Sequence, residues 1–162
     1  FSQCRWSPDP SRSAWRQVLR ALPTGNQYYK IPAEMRIFFL RTALAAAFLA
    51  VVLGAFAAHA LENLIAAPRI EIFETGVRYQ FYHSFALLFL ALLYDHLPAN
   101  WLNWAGRFFL IGIFGFSGSL YLLALRDVLG IAHWWWLGPI TPIGGTLFIV
   151  GWAVLFLSTW RR

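Results

Sequence analysis

The residues of this chain with the greatest capacity for chemistry are two histidines at the borders of apolar segments. His59 stands at the end of the first apolar segment, and His83 stands at the start of the second. Segment ends that one loop joins lie at the same membrane face, so this interpretation brings the two imidazoles to one side. Such a pair could ligate a metal ion or the iron of a haem.

A simpler alternative is that each imidazole hydrogen-bonds a backbone carbonyl or a neighbouring side chain, as histidines inside membranes usually do. The chain has a single cysteine, Cys4, and no His-Glu-x-x-His motif, so no metal-binding spacing supports the first interpretation. We therefore expect no metal site and no cofactor other than lipid. Haem on His59 and His83 is kept as the alternative.

A group of polar side chains surrounds His83. Tyr79 and Gln80 precede it by four and three residues, so on a helix they flank its face. A proton relay could be built from such groups, but hydrogen bonds between helices explain them as well. We predict a polar clamp that fixes the second apolar segment against its neighbours, formed by His59, Tyr79, Gln80, His83 and Ser117.

The acidic residues provide no catalytic arrangement. Glu62, Asp95 and Asp127 all stand at the ends of apolar segments. A transporter driven by protons or sodium usually places a carboxylate near the middle of the membrane. The sequence also contains no phosphate-binding loop, nucleophile elbow or paired-carboxylate motif. We therefore expect that the protein is not an enzyme.

Composition decides the class of protein that positions these residues. Of the 162 residues, 59% are hydrophobic and only 12% are charged, against about 25% charged in an ordinary soluble domain. The net charge of +6 comes from basic residues that flank apolar segments, as topology signals do. We therefore expect a membrane protein and no nucleic-acid partner.

Four apolar segments predict an all-α integral membrane protein with four transmembrane helices. The predicted spans are about 37–60, 79–94, 105–125 and 139–160, within a domain of residues 35–162. Residues 61–78 are predicted to form a polar loop punctuated by Pro68 and Gly76. Pro139 and Pro142 are placed in the first turn of the last span, where a missing N–H costs least.

Basic residues predict the orientation of these spans. Four spans place both termini on one side, and that side carries ten of the thirteen Lys and Arg residues, against three on the other. The positive-inside rule then places both termini in the cytoplasm. The predicted location is the bacterial inner (plasma) membrane, or the mitochondrial inner membrane if the source is eukaryotic.

Small residues predict where the helices touch. Helices in lipid associate by close packing, so rows of small side chains mark contact faces. The first span carries such a row at every fourth position, and glycines recur in the third and fourth spans. The predicted packing positions are Ala46, Ala50, Gly54, Ala58, Gly112, Gly115, Gly144 and Gly145.

Residues 1–34 differ from the rest because they are basic and contain four prolines. We predict an N-terminal arm with a short amphipathic helix that lies on the membrane surface and contacts a partner. Its apolar residues fall at helical spacing on one face, and its arginines repeat on another. The predicted contact residues are Arg12, Trp15, Arg16, Val18, Leu19, Arg20 and Leu22.

Four sequence blocks resemble a known family. They are GAFAAHAL (54–61), TGVRYQFYH (75–83), FSGSLYLLAL (116–125) and LGPITPIGG (137–145). In this order they resemble the small membrane family called domain of unknown function 423, related to the transmembrane protein 256 group. The family often has glycine where this chain has Ala57. The resemblance implies a four-helix integral membrane protein and brings no activity, substrate or catalytic residue.

Taken together, these features predict a non-catalytic accessory or assembly subunit of a larger membrane protein complex. Its expected partners are membrane lipids and other integral membrane subunits. One alternative is a small channel or transporter. A further alternative is a haem- or metal-binding redox protein that uses His59 and His83.

Overall fold

Four long helices make up the part of the chain that a computed structural model describes, residues 30–160, with side chains from Glu34 onward. Residues 1–29 of the predicted arm lie outside this part, and so do all the contact residues predicted for the arm. Two 3-10 turns follow the first two helices, at Leu61–Asn63 and Leu93–Asp95. The helices are α1 (Lys30–His59), α2 (Ala67–Leu92), α3 (Ala99–Leu125) and α4 (Leu137–Ser158).

Length and composition allow three of the helices to cross a membrane, namely α1 from Glu34 onward, α3 and α4. The 26 residues of α2 extend about 39 Å at 1.5 Å per residue, but the first half of α2 is charged. This helix nevertheless packs antiparallel along α1 and buries polar side chains between its neighbours. The predicted all-α membrane protein with four helices is confirmed.

The predicted polar loop at 61–78 is wrong, because α2 begins at Ala67. Pro68 stands in the first turn of this helix, where its fixed φ favours initiation. Gly76 lies inside the helix, where a Cβ would come within 2.8 Å of the Tyr121 ring. This glycine therefore permits a close helix contact and does not make a turn.

Three further boundaries differ from prediction. The helix α3 begins at Ala99, six residues before the predicted start of the third span. The helix α1 begins at Lys30, inside the predicted arm and seven residues before the predicted start of the first span. Pro142 lies in the interior of α4 and not in its first turn, because α4 begins at Leu137. The Thr146 hydroxyl donates to the Pro142 carbonyl at 2.9 Å in this region.

Two ion pairs tie the helices at opposite ends. Arg36 Nη1 lies 2.6 Å from Asp95 Oδ2, which joins the start of α1 to the turn after α2. Arg69 Nη2 lies 2.9 Å from Asp127 Oδ2 and joins the start of α2 to the segment after α3. Arg69 Nη1 also donates to the Leu123 carbonyl at 2.5 Å. The two pairs mark the two ends of an up-and-down arrangement.

The buried core of the described residues consists of two clusters, one toward each of these ends. A large cluster near the Arg36 end contains Phe39, Leu90, Leu102 and Phe109, each fully buried. A smaller cluster near the Arg69 end includes Phe73. The polar side chains of α2 lie in the part of the bundle between these two clusters.

Candidate functional site

The amide of Gln80 joins three helices. Its Nε2 donates to the Ala46 carbonyl of α1 at 2.9 Å, and its Oε1 accepts from the Tyr121 hydroxyl of α3 at 2.9 Å. The orientation of the amide follows from these partners, since a carbonyl only accepts and the hydroxyl donates to the remaining oxygen. The side chain is buried, with 6% of its surface exposed. Gln80 therefore holds α1 and α3 against α2.

His83 lies three residues further along α2, in an aromatic environment. Its Nδ1 lies 2.8 Å from the Tyr79 carbonyl, and its Nε2 accepts from Trp152 Nε1 of α4 at 3.4 Å. A carbonyl can only accept and an indole N–H can only donate, so the proton is on Nδ1 and the ring is neutral. The ring stacks on Phe148, with centroids 3.4 Å apart and planes at 9°.

This arrangement uses both nitrogens of His83 within the chain. A metal or haem iron would have to displace Trp152 from Nε2 or the Tyr79 carbonyl from Nδ1. The geometry therefore assigns His83 to the packing between α2 and α4.

The predicted meeting of His59 and His83 is wrong. His59 is the last residue of α1 and is exposed, whereas the bond from Gln80 places His83 beyond the level of Ala46. Ala46 precedes His59 by thirteen residues, about 20 Å at 1.5 Å per residue. The early start of α2 causes this separation, because it moves His83 from the end of a span to its middle.

The remaining predicted clamp residues have separate surroundings. Tyr79 is 40% exposed, and its ring packs on Phe116 with centroids 4.6 Å apart. Ser117 is fully buried in α3, and its Oγ has no hydrogen-bond partner among the described residues. The neighbouring hydroxyl of Ser119 lies 2.7 Å from Thr141 Oγ1 of α4. Of the five predicted clamp residues, Gln80 and His83 hold other helices by side-chain hydrogen bonds.

Sequence reasoning did not place Tyr121 or Trp152 in the clamp. Each contributes the bond that links α2 to another helix, at sequence separations of 41 and 69 residues. No local spacing connects residues so far apart. Their only sequence signal is the general tendency of buried Tyr O–H and Trp N–H groups to find a partner.

Glycines bring α3 and α4 into backbone contact. A Cβ on Gly144 would lie 2.8 Å from the carbonyl carbon of Gly115, and a Cβ on Gly112 would lie 2.6 Å from the Phe148 ring. A Cβ on Gly145 would lie 3.4 Å from the Phe116 ring. The four glycines predicted as packing positions in the third and fourth spans therefore all lie at the contact between α3 and α4.

Only part of the row of small residues predicted on α1 lies at a contact with another helix. Ala50 is fully buried, Ala46 is half-buried and carries the carbonyl bound by Gln80, and a Cβ on Gly54 would lie 3.4 Å from Val77. Ala58 is exposed. Each step of four residues turns about 40° around the helix, so the row rotates about 120° from Ala46 to Ala58.

The fully buried alanines of α1 repeat at seven residues, which keeps them on one face. They are Ala43, Ala50 and Ala57.

Comparison with known proteins agrees with this architecture. The family model described as Protein of unknown function (DUF423) matches residues 53–145, a stretch that contains Gln80, His83 and Tyr121. No solved structure matches the chain.

The relatives are themselves membrane proteins by name. A UPF0382 membrane protein of Staphylococcus saprophyticus is 42% identical over 127 residues, which cover 78% of this chain and 99% of the relative. A UPF0382 membrane protein of Staphylococcus epidermidis is 45% identical over 125 residues, 77% of this chain and 96% of the relative. The UPF0382 inner membrane protein YgdD of Escherichia coli is 36% identical over 124 residues, 76% of this chain and 90% of the relative.

These relatives confirm the predicted location in a bacterial inner membrane, whereas the orientation of the termini stays a prediction. The chain therefore belongs to the DUF423 family of membrane proteins.

Proposed function

We propose that this protein is a non-catalytic accessory or assembly subunit of a larger membrane protein complex. The observation that carries the proposal is an exposed, partly charged face of α2. Four residues of this face repeat at intervals of seven, which aligns them on one side of a helix. We call this face the α2 seam. It consists of Glu71, Arg78, Phe85 and Leu92 and of their exposed neighbours Glu74, Tyr82 and Phe89.

Aromatic and apolar side chains form one half of the α2 seam. Phe85, Phe89 and Leu92 are 51%, 60% and 64% exposed. Their exposure alone fits contact with lipid as well as contact with protein, because lipid tails are also apolar. The charged half of the α2 seam decides between contact with lipid and contact with protein.

The charged residues of the α2 seam lie deeper along the bundle than the nearest helix ends. Arg69 binds the Leu123 carbonyl in the last turn of α3. Arg78 follows Arg69 by nine residues, which is about 13 Å along α2, and Glu74 lies between them. A charge at such a depth is costly next to lipid and usually finds a partner.

The part of the chain that the structure describes provides no such partner. Arg78 Nη2 donates to the Thr75 hydroxyl at 3.1 Å, and none of the ion pairs among the described residues includes Arg78, Glu71 or Glu74. A helix of another protein with complementary polar groups would compensate these charges and cover the aromatic half. This requirement supports an assembly role.

The interior of the bundle favours packing over transport. Gln80 and His83 bind groups of neighbouring helices, and Ser84 Oγ donates to the Gln80 carbonyl at 2.7 Å. Polar groups paired in this way hold helices together and are unavailable to a transported ion. We therefore prefer the accessory subunit to the channel or transporter.

Site-specific photocrosslinking in native membranes tests the proposal. A benzophenone amino acid at position 85 lies on the α2 seam, and the same group at position 149 of α4 is a matched control, because Phe85 and Ile149 are both exposed and apolar. We expect adducts with a different membrane protein from position 85 and not from position 149. Equal labelling from both positions, or adducts only with further copies of this chain, would contradict the proposal.

A further inference from the structure

The α3–α4 connection, residues 126–136, exposes large apolar side chains at one end of the bundle. Val128, Leu129 and Trp136 are exposed. Trp135, with 82% of its surface exposed, is the most exposed large apolar side chain among the described residues. All four side chains would lie in water if the connection projected away from the membrane.

Charge is confined to the first two residues of this connection. Arg126 Nε lies 3.5 Å from Asp127 Oδ1, and Asp127 also pairs with Arg69 of α2. The stretch 128–136 contains no Lys, Arg, Asp or Glu, and His133 is its only titratable side chain. The exposed part of the connection therefore carries no acidic or strongly basic group that would hold it in water.

The backbone of the connection is hydrogen-bonded mainly within the connection itself. Of the ten N–H groups of residues 128–137, six donate to carbonyls no more than five residues back, at 2.9–3.4 Å. The six donors belong to Leu129, Gly130, Ile131, Trp134, Trp135 and Leu137.

Two of these bonds form a Schellman motif at the end of α3. The Ile131 N–H donates to the Arg126 carbonyl, and the Gly130 N–H donates to the Asp127 carbonyl. The motif needs a left-handed residue, and Gly130 has a φ of 68°. Backbone polar groups that are paired in this way can enter an apolar layer at a lower cost than unpaired ones.

Both ends of the connection are joined to helices that can cross a membrane. The helices α3 and α4 have the length and composition of spans, so the eleven residues between them start and end near the membrane surface. Tryptophan is enriched at this surface because its ring combines an apolar body with an N–H donor. The rings of Trp134 and Trp136 stack with centroids 5.2 Å apart. Lipid is therefore the nearest available cover for the exposed side chains.

We propose that the α3–α4 connection lies in the interfacial layer of the bilayer and binds the lipid surface through Val128, Leu129, Trp135 and Trp136. This contact sets the depth of the end that α3 and α4 share, because tryptophan is less stable both in bulk water and in the hydrocarbon. The inference holds for either orientation of the termini, since both membrane surfaces have an interfacial layer. It is independent of the partner helix proposed for the α2 seam.

The α1–α2 connection offers a matched control at the same end of the bundle. Leu64 of that connection and Val128 line one shared depression. Asn63 is exposed, as Trp135 is, but it follows the exposed Glu62. None of the ion pairs among the described residues includes Glu62, so its carboxylate should keep this connection in water.

The experiment measures the accessibility of a nitroxide spin label in vesicles of phosphatidylethanolamine and phosphatidylglycerol that contain only the full-length protein. Cys4→Ser removes the single cysteine, and Trp135→Cys, Leu129→Cys or Asn63→Cys then carries the label. We expect labels at 135 and 129 to collide more often with oxygen, which concentrates in lipid, than with a water-soluble nickel chelate. The label at 63 should show the opposite preference.

Three outcomes would overturn the proposal. Preference for the nickel chelate at 129, where both exposed tryptophans are retained, would place the connection in water. Low collision rates with both reagents would mean that another copy of the chain covers it. An equal preference for oxygen at 63 would show that this whole end of the bundle is immersed, so that the α3–α4 connection does not set its depth.

Discussion

The imidazole of His83 stacks on the ring of Phe148, with centroids 3.4 Å apart and planes at 9°. The two residues belong to α2 and α4, which no short connection joins. The stack, together with the bond from Trp152, places a polar side chain in the interior of the bundle without leaving either ring nitrogen unpaired. This relationship suggests that His83 is a packing residue, and it can be tested directly.

We expect His83→Gln to fold and to lower the free energy of unfolding by about 1–2 kcal/mol, the scale of a hydrogen bond between membrane helices. A glutamine amide can still donate to the Tyr79 carbonyl but cannot stack on Phe148. Reversible unfolding in mixed micelles measures the loss, and an absorption spectrum of the purified protein serves as the control. Stoichiometric haem or metal that disappears on this substitution would show that His83 is a ligand.

A double-mutant cycle on Gln80 and Tyr121 tests whether the clamp is a single unit. Tyr121→Phe removes one hydrogen bond and Gln80→Leu removes two. Because both substitutions delete the shared bond, we expect their effects on the free energy of unfolding to be non-additive, with a coupling of about 0.6–1.7 kcal/mol. Additive effects would mean that the bond contributes nothing to stability in the membrane environment.

The close approach of α3 and α4 depends on Gly144. A Cβ at this position would lie 2.8 Å from backbone atoms of α3, which cannot move aside as a flexible side chain can. We expect Gly144→Ala to lower the free energy of unfolding by about 1–3 kcal/mol, as overpacking does. Gly138→Ala is the control, since its Cβ meets no atom within 4 Å. Similar thermal stability of the two variants would contradict a backbone contact at Gly144.

The sequence predicted the number and kind of helices because apolar length is a direct consequence of bilayer thickness. It failed at the start of α2, because the charged residues and Gly76 resemble a loop when the neighbouring helix is unknown. The Tyr121 ring beside Gly76 explains the glycine, but it lies 45 residues further along the chain.

The sequence predicted that small residues form the helix contacts, but it did not predict which side of α1 faces its neighbours. The choice of a four-residue repeat on α1 included Ala50 and also the exposed Ala58, whereas the buried alanines repeat at seven. The partners of His83 and Gln80 could not be predicted, because they depend on how helices distant in sequence are arranged around α2.

The N-terminal arm provides a prediction outside the described residues. If residues 1–29 dock the protein on a partner, their deletion should remove co-purifying proteins and leave the four helices inserted. This truncation ends before Lys30, so α1 stays complete. Native purification of the truncated and full-length proteins from the same membranes measures the effect. Retention of every partner by the truncated protein would reject a docking role for the arm.

The last prediction concerns the membrane topology. The observed start of α2 determines where reporters can be inserted to test it. The ten-to-three distribution of basic residues predicts cytoplasmic termini, and four helices place the α1–α2 connection on the opposite side. A reporter within the predicted loop 61–78 would interrupt α2, so the insertion belongs at Ala66, the residue before the helix. The segment at Gly130 provides a second position on that side, since the pair Arg69–Asp127 brings the ends of both connections together.

We expect a reporter fused after Arg162 to report the cytoplasm, and reporters at Ala66 and Gly130 to report the periplasm. Agreement between Ala66 and Gly130 is the internal control, because the ion pair requires it. Opposite sides for Ala66 and Gly130 would mean that only one of the two helices between them crosses the membrane; since α3 has the length and composition of a span, α2 would then not cross. Its charged first half would then lie at the surface, and the α2 seam would no longer need a partner helix to compensate Glu74 and Arg78.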